Sequence, residues 1–319
     1  MKHLSLVVVT AVVLSPLTSQ AATPGHSRPC VSASPACMIS AANTYLDALL
    51  SHDGSAIRLA PQARRTENGN DTGADAAAIR KSVSPPTPDQ VNTGIRDKRW
   101  FVDGDEAVVL YLLDTSTLPV TPAHTTTTHI AERFKVVHGL ITQIEAIFWV
   151  SPGTTPEGSL WPKPAGEQPD QPLPAVTPAQ VQGSTRGWCH DTTPGCVVAA
   201  ARTYIQSIAS RDYRQTRLAV DVRRTQNAGL TASDAVGVRR NGQDPHPDAT
   251  ITGMRDLRWF VDGDQAICFS LADDGVPGTP VHNATVHLVH RIKVLNGLIT
   301  EIESIYWVAP GPVPETSGW

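Results

Sequence analysis

Between Met38 and Leu50, the residues Ile39, Ala42, Leu46 and Leu49 recur three and four positions apart, the period of an amphipathic helix. Asp53 then predicts the N-cap of a short second helix running through Leu59 and ended by Pro61. The stretch RRTENG, Arg64 to Gly69, is expected to form an irregular strand and turn, and Ala74 to Lys81 a third, weaker helix. Beyond it the pattern changes to β-branched and aromatic residues over Gly94–Val102, Glu106–Leu113, Thr128–Val137 and Leu140–Val150, which predicts four strands. Asp103-Gly104 and His138-Gly139 supply two-residue hairpin turns between successive pairs. Helices followed by an antiparallel sheet make an α+β domain.

The whole scheme then returns. RDKRWFVDGDEAV at Arg96 recurs as RDLRWFVDGDQAI at Arg255, and VVHGLITQIEAIFWVSPG at Val136 as VLNGLITEIESIYWVAPG at Val294. The spacing between copies is constant from Cys37/Cys196 to Trp100/Trp259 and shortens by one residue before Lys135/Lys293. So long a period fits two tandem domains rather than a solenoid. The expected organisation is a signal peptide at 1–22, a first repeat at 30–153, a proline-rich extended linker at 154–188 and a second repeat at 189–311.

Strand pairing decides which side chains share a face. A plain two-residue turn at His138-Gly139 sets Glu132 opposite Glu145 and Arg133 opposite Ile144. One face then carries Ile130, Glu132, Phe134, Glu145 and Ile147, and the other His129, Ala131, Arg133, Ile144, Ala146 and Phe148. Both faces are substantially apolar, more than a sheet covered on one side requires. The second repeat is expected to cover the exposed face, so that two domains pack as an intramolecular pseudo-dimer in a monomeric chain.

Met1 to Ala22 has a basic start, an apolar run from Leu4 to Leu14 and a small-residue finish, the marks of a secretory signal peptide too short to span a bilayer. The chain is therefore expected to be secreted or periplasmic and without a membrane span. In an oxidising compartment Cys30 with Cys37, and Cys189 with Cys196, would close two equivalent small loops, against the alternative of a four-thiolate zinc site whose ligand spacing is shorter. Cys268, in an apolar run, is expected to be a buried thiol. The net charge of −4 and the absence of a long basic tract argue against nucleic acid as a partner.

The order helix, helix, Thr66-Glu67-Asn68-Gly69, then strands closing on Arg133-Phe134-Lys135-Val136, repeated with Thr225-Gln226-Asn227 and Arg291-Ile292-Lys293-Val294, resembles the SnoaL-like branch of the NTF2-like superfamily. It is most similar to an uncharacterised secreted group of fungal and bacterial domains with a TENG motif. The resemblance implies two cones, each of helices and a curved antiparallel sheet around a pocket, packed sheet to sheet. The superfamily holds polyketide cyclases, ketosteroid isomerases, epoxide hydrolases and non-enzymatic binders, so membership assigns no chemistry. Its epoxide hydrolases carry a pocket Asp where this chain has Ala146 and Ser304, and the alignment turns the His129/Arg133 face into the pocket.

On that basis the expected ligand is a small organic molecule, for which arginines would suit an anionic group, bound without a cofactor or metal. If the chain is an enzyme, it is expected to be an isomerase, cyclase or lyase. His129 and His287, and Asp97 and Asp256, are the candidate bases. Arg65, Arg224, Arg133 and Arg291 are candidate anion ligands, and Tyr45 and Tyr204, on the first helix of each repeat, could reach the pocket. Each has a plainer reading: a hydrogen-bonded His, an edge ion pair for Asp97 and Asp256, a tie from one arginine of the Arg64-Arg65 pair to Glu67, and core packing for the tyrosines. Glu132 and Glu145 could share a proton, but the expected pairing puts them on the inter-domain side, where a carboxylate reaching across to an Arg or Lys is simpler. His287 and His290 point to opposite faces of one strand and do not converge on a metal. The competing reading of the whole chain is a non-catalytic interaction module.

Overall fold

The computed structural model describes residues 34–84, 91–116, 126–152, 191–243, 250–275, 281–311 and 315–316. The proposed signal peptide, the linker, Cys30 and Cys189 lie outside these residues.

The first half opens with helix α1, Pro35–Ser51, started by Ser34, whose hydroxyl accepts from the Cys37 amide, and by a proline in its first turn. Its buried stripe of Met38, Ala41, Ala42, Tyr45 and Leu46 packs on a sheet of six strands. These are β1 (Leu59–Glu67), β2 (Asn70–Gly73), β3 (Val91–Asp103), β4 (Glu106–Ser116), β5 (Thr126–Val137) and β6 (Leu140–Pro152), with helix α2 (Ala76–Ser82) after β2. The second half repeats this with α3 (Pro194–Ser210), β7 (Leu218–Gln226), β8 (Gly229–Ala232), α4 (Ala235–Gln243), β9 (Thr250–Asp262), β10 (Gln265–Gly275), β11 (His282–Leu295) and β12 (Leu298–Pro310). The α+β class, the duplicated architecture and the four C-terminal strands of each half are as expected, the strands being one to three residues longer at most ends.

RRTENG forms the end of β1 and the turn into β2, the strand and turn expected. Two local expectations are corrected. The helix expected after Asp53 is a single 3-10 turn, Gly54–Ala56, and Leu59 already begins β1. The sheet is mixed rather than purely antiparallel: its order is β2-β1-β6-β5-β4-β3, and β1 runs parallel to β6, as β7 does to β12.

A third correction concerns the site. The turn at His138-Gly139, both residues at positive φ, pairs Val137 with Leu140 and Val136 with Ile141, but the register then shifts. Thr142 bulges out, so Lys135 pairs with Gln143, Arg133 with Glu145, and Glu132 with Ala146. An extra residue in β6 inverts the alternation beyond it. Ile141 and Ile144, three apart, therefore face the same helix-covered core as Phe134 and Tyr45. Thr300 does the same in β12, where Ile299 and Ile302 share a core and His290 pairs with Ser304.

The face away from the helices meets its counterpart. Phe101, Val108, Leu110, Ala131 and Ile147 of the first half form one buried cluster with the equivalent Phe260, Ile267, Phe269, Val289 and Ile305 of the second. The two sheets thus cover each other's outer apolar faces, as expected. Fully burying a large apolar side chain contributes roughly 1.5 to 3 kcal/mol, so this shared cluster strongly couples the halves. Gly69, in the turn after β1, also lies against the other half: a Cβ there would clash with the His287 ring.

Candidate functional site

The helix-covered face of the first sheet encloses a cavity of about 450 Å³, within the range of small-molecule pockets. Its floor is polar and buried: Tyr45, Arg65, Tyr111 and Glu132 are each at most 5% exposed. Its walls are apolar, from Leu49, Val83, Leu113, Ile130 and Phe148, and its rim carries His52, Asn92 and Val150.

Four elements bring the floor together. Tyr45 comes from the buried stripe of α1, Arg65 from β1, Tyr111 from β4 and Glu132 from β5. Because β4 and β5 are neighbours, the Tyr111 hydroxyl donates to Glu132 Oε2 at 2.9 Å. Arg65 donates to the Tyr45 hydroxyl at 3.0 Å and to Thr72, and pairs with Glu67 at 3.5 Å. The Tyr45 oxygen thus acts as acceptor in that bond, which leaves its own hydrogen for another partner. Burial lifts the Glu132 carboxyl to about 8, against the Tyr111 hydrogen bond and the charge of Arg65, which favour ionisation. Burial likewise raises the phenols of Tyr45 and Tyr111, so both stay protonated. The floor therefore offers a carboxyl that exchanges its proton near neutral pH beside an arginine-bound phenol.

Of the residues expected in the cone, Tyr45 and Arg65 line the cavity. His129 and Arg133 do not: with the bulge at Thr142 they lie on the inter-domain face, where His129 stacks on Trp149 at 5.7 Å and Arg133 donates to Glu145 at 3.0 Å and to Gln143. Their counterparts follow suit. Arg291 binds Glu301 and Glu303 at 2.8 and 3.0 Å, and His287 Nε2 lies 3.1 Å from Glu315 and against Gly69 of the other half. Asp97 and Asp256 sit at positive φ on the edge strands β3 and β9, near Arg96 and Arg255 at 3.9 and 4.0 Å, and Asp97 is not among the cavity's lining residues. Asn68 shapes its turn, exchanging hydrogen bonds with the Phe148 backbone, and Asn227 does so with Tyr306.

Glu132 is the residue that the expected register misassigned. The repeated spacing Ile-Thr-x-Ile at Ile141 and Ile299 carries the signal for the bulge, since two core isoleucines three apart cannot alternate regularly.

The second half keeps the frame and changes the chemistry. Tyr204 and Arg224 are buried as Tyr45 and Arg65 are, but Glu67, Tyr111, Glu132 and Ala146 become Gln226, Ser270, His290 and Ser304. Arg224 donates to Gln226 at 3.0 Å, and His290 Nδ1 lies 2.8 Å from the Ser304 hydroxyl. Burial and the charge of Arg224 depress the imidazole to about 3, so it stays neutral. Cys268 is a buried free thiol pushed by burial up to about 12. Among the described residues no cluster of three His, Cys, Asp or Glu is placed to hold a metal ion, and no helix is long and apolar enough to cross a membrane.

A profile of the Domain of unknown function (DUF8021) matches the chain twice, over residues 32–148 and 191–306. The chain belongs to the DUF8021 family. No curated protein matches it. Solved structures that each DUF8021 half resembles include a candidate ketosteroid isomerase from Kribbella flavida DSM 17836, at 21% identity over 37% of this chain and 82% of that one, with a TM-score of 0.30. An LEH-like epoxide hydrolase from M. tuberculosis gives 16% identity over 36% and 84%, TM-score 0.32. An NTF2-like protein from Burkholderia xenovorans LB400 gives 11% over 38% and 93%, TM-score 0.31. Identities this low carry no assignment of chemistry to the DUF8021 site, which has to be argued from its own residues.

Proposed function

We propose that the first DUF8021 domain binds a small carbonyl-bearing organic molecule and moves a proton on it without a cofactor, as an isomerase, cyclase or lyase does. The observation that carries this is the Glu132 carboxyl, buried, held by Tyr111 and lining a cavity with Tyr45 and Arg65. In the proposed step, ionised Glu132 takes a proton from the carbon next to the carbonyl. The electron pair moves onto the carbonyl oxygen, which the Tyr45 hydroxyl stabilises with Arg65 behind it. The proton then returns to carbon, and Glu132 is regenerated. An anionic substrate group or the enolate itself would be the species that the arginine favours.

The second domain is proposed to be non-catalytic. Its His290, with the imidazole depressed to about 3, is too weak a base to take a proton from carbon, and the domain's contribution is to cover the outer face of the first sheet. Export, with disulfides Cys30–Cys37 and Cys189–Cys196, belongs to the same reading; supporting it, Cys37 and Cys196 are buried in equivalent first turns of α1 and α3.

The test is exchange of the α-protons of β-tetralone with deuterated solvent, followed by NMR. The purified chain is expected to accelerate exchange, increasingly so as the pH rises towards 8 and more Glu132 is ionised, and Glu132→Gln to abolish the acceleration. Equal exchange with both proteins would refute the acid–base role.

A further inference from the structure

Beyond the floor, the rim of the cavity holds a feature that the acid–base reading leaves unused. His52 is the C-cap of α1 and lines the cavity, and its Nε2 is buried with no hydrogen-bond partner among the described residues. A buried ring nitrogen left unpaired is costly. Its backbone adds a second cost. His52 has φ 54 and ψ 29, the left-handed conformation that ends many helices and that glycine adopts without penalty. A bulky residue at such a position, lining a cavity and leaving a buried nitrogen unpaired, marks a place where the side chain is wanted for contact rather than for folding.

Helix geometry gives the position a scale. Tyr45, Leu49 and His52 stand at i, i+4 and i+7 of α1 and all line the cavity. Two turns separate Tyr45 from His52, about 10 Å at 1.5 Å per residue. Between the polar floor and the His52 ring the walls are apolar, from Leu49, Leu113 and Phe148. In the second half the equivalent residue is Arg211, also left-handed at φ 58, so this imidazole is not duplicated.

We propose that His52 is a second polar anchor, and that the ligand of the first domain is an elongated, rigid, mainly apolar molecule with one oxygen at the Glu132/Tyr45 floor and another at the His52 rim. This rests on the pocket reading above and adds the ligand's second oxygen and its length. It selects bipolar ligands about two helical turns long over molecules polar at one end only.

The test uses two biphenyls, p-phenylphenol with one hydroxyl and p,p′-biphenol with a hydroxyl at each end, titrated by fluorescence into the whole chain, His52→Gly and Glu132→Gln. The His52→Gly backbone suits the left-handed position, so this variant keeps the fold. The native chain should bind p,p′-biphenol about five- to tenfold more tightly than p-phenylphenol, the worth of one added hydrogen bond. His52→Gly should erase that ratio and leave p-phenylphenol affinity unchanged. A native ratio near one, or a ratio that survives His52→Gly, overturns the proposal. If Glu132→Gln leaves p-phenylphenol affinity unchanged while the ratio still depends on His52, the floor reading fails and the rim anchor stands. If neither phenol binds, both fail.

Discussion

Glu145 of the first half receives both terminal nitrogens of Arg258 of the second, at 2.6 Å each. The pairing is mirrored by Arg99 and Glu303, at 3.1 and 2.5 Å. Both carboxylates are 6% exposed at the side chain, and each also binds an arginine of its own sheet, Arg133 and Arg291. Two reciprocal charge pairs thus orient the apolar contact between sheets, whose packing supplies the energy.

Removing one carboxylate leaves buried guanidinium groups short of a partner, the expensive way to break such a pair. Glu145→Ala should destabilise the chain by about 3 kcal/mol, at the lower end for a buried pair because Arg133 keeps Glu106. Urea unfolding measures it. A loss below about 1 kcal/mol would mean that the pair behaves as a surface bridge.

Stability should fall as the pH rises from about 4.5 to about 8 because of Glu132. Its folded carboxyl, lifted by burial to about 8, keeps its proton in that window while the unfolded chain releases it. The contribution is complete below 4.5 and lost by the time the pH passes 8. Glu132→Gln, which cannot ionise, should flatten this part of the profile and be more stable than the native chain at pH 9. Thermal unfolding across this range measures the difference, of the order of a few kcal/mol.

Chemistry should reside in one half. His290→Ala is expected to leave β-tetralone exchange unchanged, since the depressed imidazole is too weak a base to take a proton from carbon. An equal loss of exchange in His290→Ala and Glu132→Gln would mean that both cones act.

Much of this was open to reading in the chain itself. The duplicated blocks and the change from helical to strand periodicity anticipated both domains, and the two apolar faces of Thr128–Val137 and Leu140–Val150 anticipated the partner sheet. Tyr45 and Arg65 were placed in the cavity. What pairing by a plain turn could not supply was the bulge at Thr142, one unpaired residue that exchanges the faces of β5 relative to β6. It places His129, Arg133 and Glu145 on the inter-domain face and turns Glu132 inward, the reverse of the faces that a plain turn gives His129 and Glu132. Likewise, β1 joins β6 in parallel through contacts remote in sequence, which local turn signals do not encode.

The most direct test of the account is the ionisation of Glu132 itself, followed by carboxyl-carbon NMR on selectively labelled protein, with Glu132→Gln identifying the resonance. A midpoint near pH 8 is the predicted result. A midpoint near the ordinary 4.5 would show the floor of the cavity to be wet and its carboxylate charged at neutral pH, which contradicts the proposed chemistry.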